Sequence, residues 1–256
     1  NPRTNKTPAL FEALGEALER LCGRYITAED VGTSPQDMAC VANKTSYVAG
    51  LGASGDPSPY TALGCFVGAQ AAVKHHFKRD TMDGLTVALQ GLGHVGYDYA
   101  RRLHQAGAKL VVADIDEAAL ERARQEFGAQ VVGVDAIYDV AADIYAPCAL
   151  GATLNPNTLS RLSAKVVAGG ANNQLATADV GVMLREKGIL YAPDFVINAG
   201  GIVKVCYEYL KKPESEVEAH VREISDTLSE IFNRADFEGR PTSVVADELA
   251  QSRFKR

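Results

Sequence analysis

The chain has 256 residues, of which 46% are hydrophobic and 23% charged, and its formal net charge is −6 at pH 7. This composition is typical of a globular protein with a core, and the acidic balance argues against nucleic-acid or anionic-membrane partners. The five cysteines are scattered and never form CxxC, so we expect neither a disulfide framework nor a metal site. No apolar run reaches the ~20 residues that span a bilayer, and we expect a cytoplasmic protein.

The first elements predict a helical segment followed by a domain junction. FEALGEALERL places its apolar residues at helical spacing almost from the first residue, Asn1. We therefore expect that further sequence precedes this chain. The stretch from YITAEDVGTS to GLGASGDPSPYTALG is rich in Gly, Ser and Pro, which indicates a boundary between domains, placed here after residue 57.

Six short apolar runs then alternate with helical or loop sequence. They are LTVALQ, KLVVAD, QVVGV, DIYAP, KVVAG and GILYAP. Strands joined by helical crossovers are parallel, so the pattern predicts an α/β fold, a doubly wound parallel sheet of the Rossmann type. We assign residues 58–210 to this domain. Apolar residues at helical spacing follow, and we expect residues 211–256 to form helices that pack back on the first domain.

A glycine motif, QGLGHVG, directly follows the first of these runs and opens a helix. Gly91 permits the turn, Gly93 lets the backbone approach a pyrophosphate, and Gly96 lets the helix pack closely. The helix N-terminus adds N–H donors and the positive end of its dipole. The motif predicts dinucleotide binding by Gly91, Leu92, Gly93, His94, Val95 and Gly96.

An acidic residue, Asp114, ends the next strand. A carboxylate at this place accepts hydrogen bonds from a ribose 2′-hydroxyl and repels a 2′-phosphate. The residues that follow, IDEAA, contain no Arg or Lys that would pair with such a phosphate. The sequence therefore favours NAD over NADP, with Asp114 and Ile115 as cofactor contacts.

Further segments resemble the amino-acid dehydrogenases of leucine, valine, phenylalanine and tryptophan, with glutamate dehydrogenase as a distant relative. The matching segments are GRYITAEDVGT, GDPSPYTALG, QGLGHVG, DIYAPCALGAT, AGGANNQL and LYAPDFVINAGG. They cover nearly the whole chain, in family order. The resemblance implies reversible, NAD-dependent oxidative deamination of an L-amino acid to a 2-oxo acid and ammonia, in a homo-oligomer. It also implies that residues 1–57 are the C-terminal part of the substrate-binding, catalytic domain.

The resemblance assigns roles to two residues near the start of the chain. Asp30 in AEDVG matches the catalytic aspartate, which takes part in proton transfer at the amino nitrogen. Thr61 in PSPYTA matches the residue that contacts the nicotinamide carboxamide. From the residues alone, Asp30 is more simply explained as a turn or cap residue, and Thr61 as a helix cap.

Four residues follow later strands. Cys148 and Ala149 match the segment along the adenosine side of the cofactor, and Cys148 is not expected to be a nucleophile because no paired His is evident. Asn172 and Asn198 resemble the asparagines that contact the nicotinamide end and the substrate. Each is also explained as a loop residue that satisfies its own backbone.

The substrate side chain is predicted to be apolar. The glutamate enzymes resemble this chain in GGIVKV but carry a Ser near the position of Val205. Here Ile202 and Val205 would form an apolar wall, which would leave a substrate carboxylate desolvated and unpaired. The pattern does not distinguish a branched-chain from an aromatic substrate.

The family's two active-site lysines, one in a GGGK run, match no segment of this chain. Two hypotheses from different classes therefore stand. The first is a dehydrogenase whose lysines lie in preceding sequence. The second is a binding module that holds NAD without chemistry. A methyltransferase that uses the glycine turn for S-adenosylmethionine is a third interpretation, but it leaves the other segments unexplained.

Overall fold

The computed structural model describes residues 5–30, 32–51 and 56–254. Within them the chain forms two compact units, residues 1–57 with 201–218 and residues 58–200 with 219–256. The helices are α1 (Pro8–Glu19), α2 (Pro35–Ala42), α3 (Ser58–Phe77), α4 (His94–Gln105), α5 (Glu117–Phe127), α6 (Pro156–Arg161), α7 (Asp179–Glu186), α8 (Asp194–Ile197), α9 (Gly200–Tyr209), α10 (Val217–Arg222), α11 (Ile224–Glu238) and α12 (Thr242–Phe254). No described helix is long and apolar enough to cross a membrane.

The first unit is built on α1 and α2, and both helices begin with a side-chain cap. The Thr7 side chain accepts a hydrogen bond from the Leu10 N–H, and Ser34 forms a capping box with Asp37. The two helices bury a small apolar core between them. Its buried members are Phe11, Leu18, Met38, Val41 and Val48.

The second unit is built on a six-stranded sheet in which every strand pair is parallel. The strand order is β3-β2-β1-β4-β5-β6. The strands are β1 (Thr86–Gln90), β2 (Lys109–Ala113), β3 (Gln130–Val131), β4 (Ile144–Pro147), β5 (Val166–Val167) and β6 (Leu190–Tyr191). The six predicted runs supply these six strands, and the prediction of a doubly wound parallel sheet is confirmed.

The core of the second unit lies on both faces of the sheet. Val87 and Leu89 of β1 point to one face of the sheet and Ala88 points to the other, and all three are buried, because helices cover both sides of a central parallel strand. On α4, Tyr99 is also fully buried, and its hydroxyl donates to the Ala168 carbonyl at 3.1 Å. The sheet and its helices therefore form a rigid support for the loops at the strand ends.

The C-terminal helices differ from the expectation. Residues 211–218 group with the first unit, but residues 219–254 group with the sheet-containing unit. The reason is a complementary helix pair: a Cβ placed on Gly68 of α3 would lie 2.8 Å from a Leu228 methyl of α11. The small residue lets α11 approach closely and bury its apolar stripe against α3.

Candidate functional site

The loops that follow β1 and β4 meet at the carboxyl edge of the sheet. β1 lies between β2 and β4, so the chain leaves β1 in one direction and returns on its other side at β4. Open α/β sheets bind ligands at such a switch point. A Cβ on Gly91 would lie 2.7 Å from both the Ala149 nitrogen and the Cys148 carbonyl carbon. The glycine turn and the predicted Cys148–Ala149 segment are therefore neighbours.

The three motif glycines have different structural reasons. Gly91 has φ +100°, which favours glycine. A Cβ on Gly96 would lie 2.0 Å from the Gly91 carbonyl oxygen, so α4 packs directly on the turn. By contrast, a Cβ on Gly93 would meet no described atom within 4 Å. The protein's own packing requires the first and third glycines, whereas the second leaves room for a ligand's approach.

The start of α4 adds a cluster of backbone donors to this turn. Gly93 is the N-cap residue, and no side chain caps the helix. The first amides of an α-helix lack partners within the helix, and they carry the positive end of its dipole. This donor set, together with the open position at Gly93, fits the pyrophosphate of a dinucleotide.

Asp114 lies beside the turn, at the end of β2. Its carboxylate accepts hydrogen bonds from the backbone N–H groups of Leu92 and Asp116, the second at 2.8 Å. A carboxylate has about four acceptor sites, so these two bonds leave capacity for ribose hydroxyls. The next residue, Ile115, is 88% exposed. This edge therefore offers both an acceptor and an apolar surface.

Asn172 and Asn198 are brought together from different loops. The Asn198 Nδ2 donates to the Asn172 Oδ1 at 2.6 Å and to the Gly170 carbonyl at 3.2 Å. A carbonyl only accepts, so the Gly170 contact fixes which atom of the Asn198 amide is the nitrogen. The pair therefore has a defined polarity, with the Asn172 NH2 and the Asn198 Oδ1 as its outer groups.

Thr61 lies in the first turn of α3, and the fold brings this turn close to the segment that follows Asn198. A Cβ on Gly200 would lie 1.9 Å from the Tyr60 carbonyl oxygen and 3.1 Å from the Thr61 nitrogen. The segment just after Asn198 therefore packs on the start of α3. This contact places Thr61 on the same side of the second unit as the asparagine pair.

Cys148 is a structural thiol in this setting. Its Sγ accepts a hydrogen bond from the Gly170 N–H at 3.4 Å. Burial of the thiol raises the pKa of Cys148 to about 11, because desolvation disfavours the thiolate. Among the described residues, no cluster of His, Cys, Asp or Glu side chains is able to hold a metal ion.

The remaining predicted residues lie in the first unit. The backbone of Asp30 forms a turn with Thr33: the Asp30 N–H donates to the Thr33 Oγ1 at 2.9 Å, and the Asp30 carbonyl accepts from that hydroxyl at 2.7 Å. Ile202 is 66% exposed and Val205 is half-buried. The backbone of Asp30 thus takes part in a turn, as the alternative interpretation expects. The catalytic role of the Asp30 carboxylate stays a prediction.

Sequence reasoning did not single out Asp194, which joins the two asparagine loops. Its carboxylate accepts a hydrogen bond from the Gln174 N–H, two residues after Asn172. The available signal was its position in APDFVINAGG, four residues before Asn198. An acidic residue in the first turn of a helix is common, so this position alone did not indicate a link between loops.

Comparison with known proteins gives a consistent result. A family model described as glutamate/leucine/phenylalanine/valine dehydrogenase matches residues 52–120 and 113–239. The leucine dehydrogenase of Thermoactinomyces intermedius is 49% identical over 259 aligned residues, covering 100% of this chain and 71% of that protein.

Solved structures agree. The L-tryptophan dehydrogenase of Nostoc punctiforme matches with a TM-score of 0.85 and 42% identity, over 99% of this chain and 74% of that one. The hetero-hexameric glutamate dehydrogenase of Thermus thermophilus has the same fold, with a TM-score of 0.78 and 22% identity over 99% of this chain and 70% of that one. On these matches, together with its glycine turn and parallel sheet, the chain belongs to the glutamate/leucine/phenylalanine/valine dehydrogenase family of oxidoreductases.

Proposed function

We propose that this chain carries the cofactor-binding and substrate-recognising residues of an NAD-dependent dehydrogenase acting on an apolar L-amino acid. The products are the 2-oxo acid and ammonia, and the reaction is reversible. The observation that carries the proposal is the arrangement at the carboxyl edge of the sheet, where the glycine turn and Asp114 follow the neighbouring strands β1 and β2, and the asparagine pair follows the neighbouring strands β5 and β6. Family membership supports the reaction class.

The choice of NAD rests on the surroundings of Asp114. Its carboxylate has spare acceptor capacity for the two ribose hydroxyls of the adenosine half. The exposed Ile115 side chain offers an apolar surface to the adenine. A 2′-phosphate beside this carboxylate would meet like charge without a nearby Arg or Lys in residues 115–119. When bound, NAD accepts the hydride from the substrate Cα.

The asparagine pair suits the nicotinamide carboxamide. The Asn172 NH2 donates and the Asn198 Oδ1 accepts, and a carboxamide presents one acceptor oxygen and one NH2 donor. Thr61 is the proposed additional contact to this group, and Asn172 also contacts the substrate. Cys148 and Ala149 close the adenosine side of the turn.

The proposed substrate residues lie in the first unit. Asp30 exchanges a proton with the amino nitrogen, a role that needs a carboxylate positioned within hydrogen-bond reach. Ile202 and Val205 contact the substrate side chain. The family's lysine base is expected in a GGGK run, which these 256 residues do not contain, so the test uses the complete reading frame.

The experiment measures NADH formation by absorbance with a panel of valine, leucine, phenylalanine, tryptophan and glutamate. We expect the best kcat/KM on an apolar amino acid, at least about 100-fold above glutamate, because a buried carboxylate without a partner costs several kcal/mol. NADP is expected to be worse than NAD by at least about 10-fold. Glutamate as the best substrate would contradict the apolar wall.

A matched variant, Val205→Ser, introduces the residue type that the glutamate enzymes carry near this position. It is expected to lower the ratio of kcat/KM for the apolar amino acid to kcat/KM for glutamate by about 10-fold, since the hydroxyl offers the glutamate carboxylate a hydrogen bond. The alternative function is a binding module. NAD binding by calorimetry, with no turnover of any amino acid by the complete protein, would favour the module.

We also infer that the protein is a cytoplasmic homo-oligomer. The relative from Thermus thermophilus is described as hetero-hexameric, and subunit assembly is therefore compatible with this fold. Light scattering on the purified complete protein tests the inference, and a monomeric mass would contradict it.

A further inference from the structure

The distance between Asn172 and Asn198 depends on how the loops that carry them are joined. Asn172 follows β5, whereas Asn198 follows β6 and α8. The bond between their side chains does not fix their backbones, because both side chains keep rotatable bonds. A fixed pair therefore needs a second link, from one loop backbone to the other.

Asp194 supplies this link. Its Oδ2 accepts a hydrogen bond from the Gln174 N–H at 2.9 Å, and its Oδ1 accepts one from the Phe195 N–H at 2.7 Å. The Asp194 N–H donates to the Tyr191 hydroxyl at 3.2 Å, which ties the residue to β6. One carboxylate thus bridges the loop after β5 and the start of α8. Hydrogen bonds to a charged acceptor are the stronger kind.

The loop that Asp194 holds is itself braced. Gln174 is fully buried, and its Nε2 donates to the Gly169 carbonyl at 2.7 Å and to the Ala171 carbonyl at 2.9 Å. Its Oε1 has no hydrogen-bond partner among the described residues. A buried acceptor without a partner disfavours the fold. Gln174 therefore fixes the loop from within, and its backbone N–H presents that loop to Asp194.

We infer that Asp194 is a positioning residue for the dehydrogenase reaction. It sets the spacing of Asn172 and Asn198, and through them the orientation of the nicotinamide toward the substrate Cα. The inference rests on the proposed function, in which the two asparagines contact the nicotinamide. A misplacement of about 1 Å at a reacting centre costs about 100-fold in rate.

The effect is expected on the chemical step more than on cofactor affinity. The glycine turn and Asp114 follow β1 and β2, whereas Asp194 acts on the loops after β5 and β6. Most of the proposed NAD contacts therefore do not depend on Asp194. A variant that loses kcat but keeps its NAD affinity would thus indicate a positioning role, whereas a general loss of folding would lower both.

The test compares Asp194→Ala and Asp194→Asn with a control, Asp143→Ala, in the complete protein. Asp143 makes a related bond, since its Oδ2 accepts from the Thr86 N–H at 2.8 Å, but at the amino ends of β4 and β1. The measurements are kcat, KM, the NAD dissociation constant, the melting temperature, and the isotope effect on kcat with a 2-deuterated amino acid.

For Asp194→Ala we expect kcat to fall by at least about 30-fold, with a larger isotope effect and an NAD dissociation constant within about 3-fold. Asp194→Asn keeps an acceptor oxygen and is expected to recover about 10-fold of the loss. Asp143→Ala is expected to lower the melting temperature with kcat within about 2-fold.

Two results would overturn the inference. One is a kcat within about 3-fold of the unsubstituted enzyme in folded Asp194→Ala. The other is a loss of kcat that Asp143→Ala reproduces at equal melting temperature. Absence of turnover in the unsubstituted enzyme is a distinct outcome, because it would reject the proposed function and this inference with it.

Discussion

Two helices, α4 after β1 and α5 after β2, begin at the same edge of the sheet but are capped differently. The N-cap residue of α5 is Asp116, whose Oδ1 accepts hydrogen bonds from the N–H groups of Ala118 at 2.9 Å and Ala119 at 3.2 Å. The N-cap residue of α4 is Gly93, which offers no side-chain cap. The same fold element thus has a side-chain cap in one case and none in the other.

The difference in capping suggests that the start of α5 contributes to stability, whereas the start of α4 contributes to ligand binding. A side-chain cap contributes about 1 kcal/mol over an uncapped alanine, and α5 has this stabilisation. α4 lacks it and keeps its first amides directed toward the glycine turn, where an anion is stabilised by the helix dipole. An uncapped helix start beside a capped one therefore indicates which of two equivalent turns serves a ligand.

The substitution Gly93→Asp gives α4 the kind of side-chain cap that α5 has, and it is expected to have the largest effect. A Cβ at Gly93 meets no described atom within 4 Å, so we expect the melting temperature to change by less than about 2 °C. NAD affinity is expected to fall at least about 100-fold, about 3 kcal/mol, because the carboxylate occupies the donors and repels phosphate. Calorimetric titration and thermal unfolding measure both effects.

Gly93→Ala is the control for charge, since it adds the Cβ without a carboxylate. It is expected to weaken NAD binding less than Gly93→Asp does. Unchanged NAD affinity in the aspartate variant would show that the pyrophosphate does not bind at α4.

The reciprocal change, Asp116→Ala, is expected to affect stability instead. Loss of the α5 cap removes about 1 kcal/mol, which corresponds to a melting temperature about 2 to 4 °C lower in a domain of this size. The NAD dissociation constant is expected to stay within about 3-fold, because Asp114 retains its bond to Leu92. Loss of binding without loss of stability would reverse the roles assigned to the two turns.

The smallest expected effect concerns Cys148, which packs on the glycine turn. Burial raises its pKa to about 11, so between about pH 7 and 9 the thiol stays protonated and unreactive. Alkylation by iodoacetamide, followed by mass spectrometry, is expected to be slower at Cys148 than at the exposed Cys22 and Cys206. Labelling of Cys148 as fast as the exposed thiols would contradict a structural role for this half-buried thiol.

The strands and the glycine turn could be predicted from sequence because their signals are local. A buried parallel strand is a short apolar run, and each of the six runs became a strand. Gly91 and Asp114 stand next to strand ends, so the fold order alone brings them together. The positive φ of Gly91 matches the turn that the motif predicts.

The rest depends on contacts between distant segments. The packing of α11 on α3 follows from Gly68 meeting Leu228, which are 160 positions apart in the chain. Helical spacing shows that α11 has an apolar face, but it does not identify the partner of that face. The role of Asp194 likewise depends on the shape of the loop before it, because only the folded loop presents the Gln174 N–H to the carboxylate.

The bond between Asp114 and the Leu92 N–H has a consequence for attempts to redesign cofactor preference. The carboxylate that we propose to discriminate against NADP also accepts a hydrogen bond from the turn that would carry the phosphates. Replacing Asp114 by Arg or Lys removes the acceptor of the Leu92 N–H while it adds an attraction for the 2′-phosphate, so the two effects on NADP binding oppose each other. A change of preference would therefore need paired substitutions, one to recognise the phosphate and one to restore an acceptor for Leu92. Evolution of this trait by single steps would pass through a weaker intermediate.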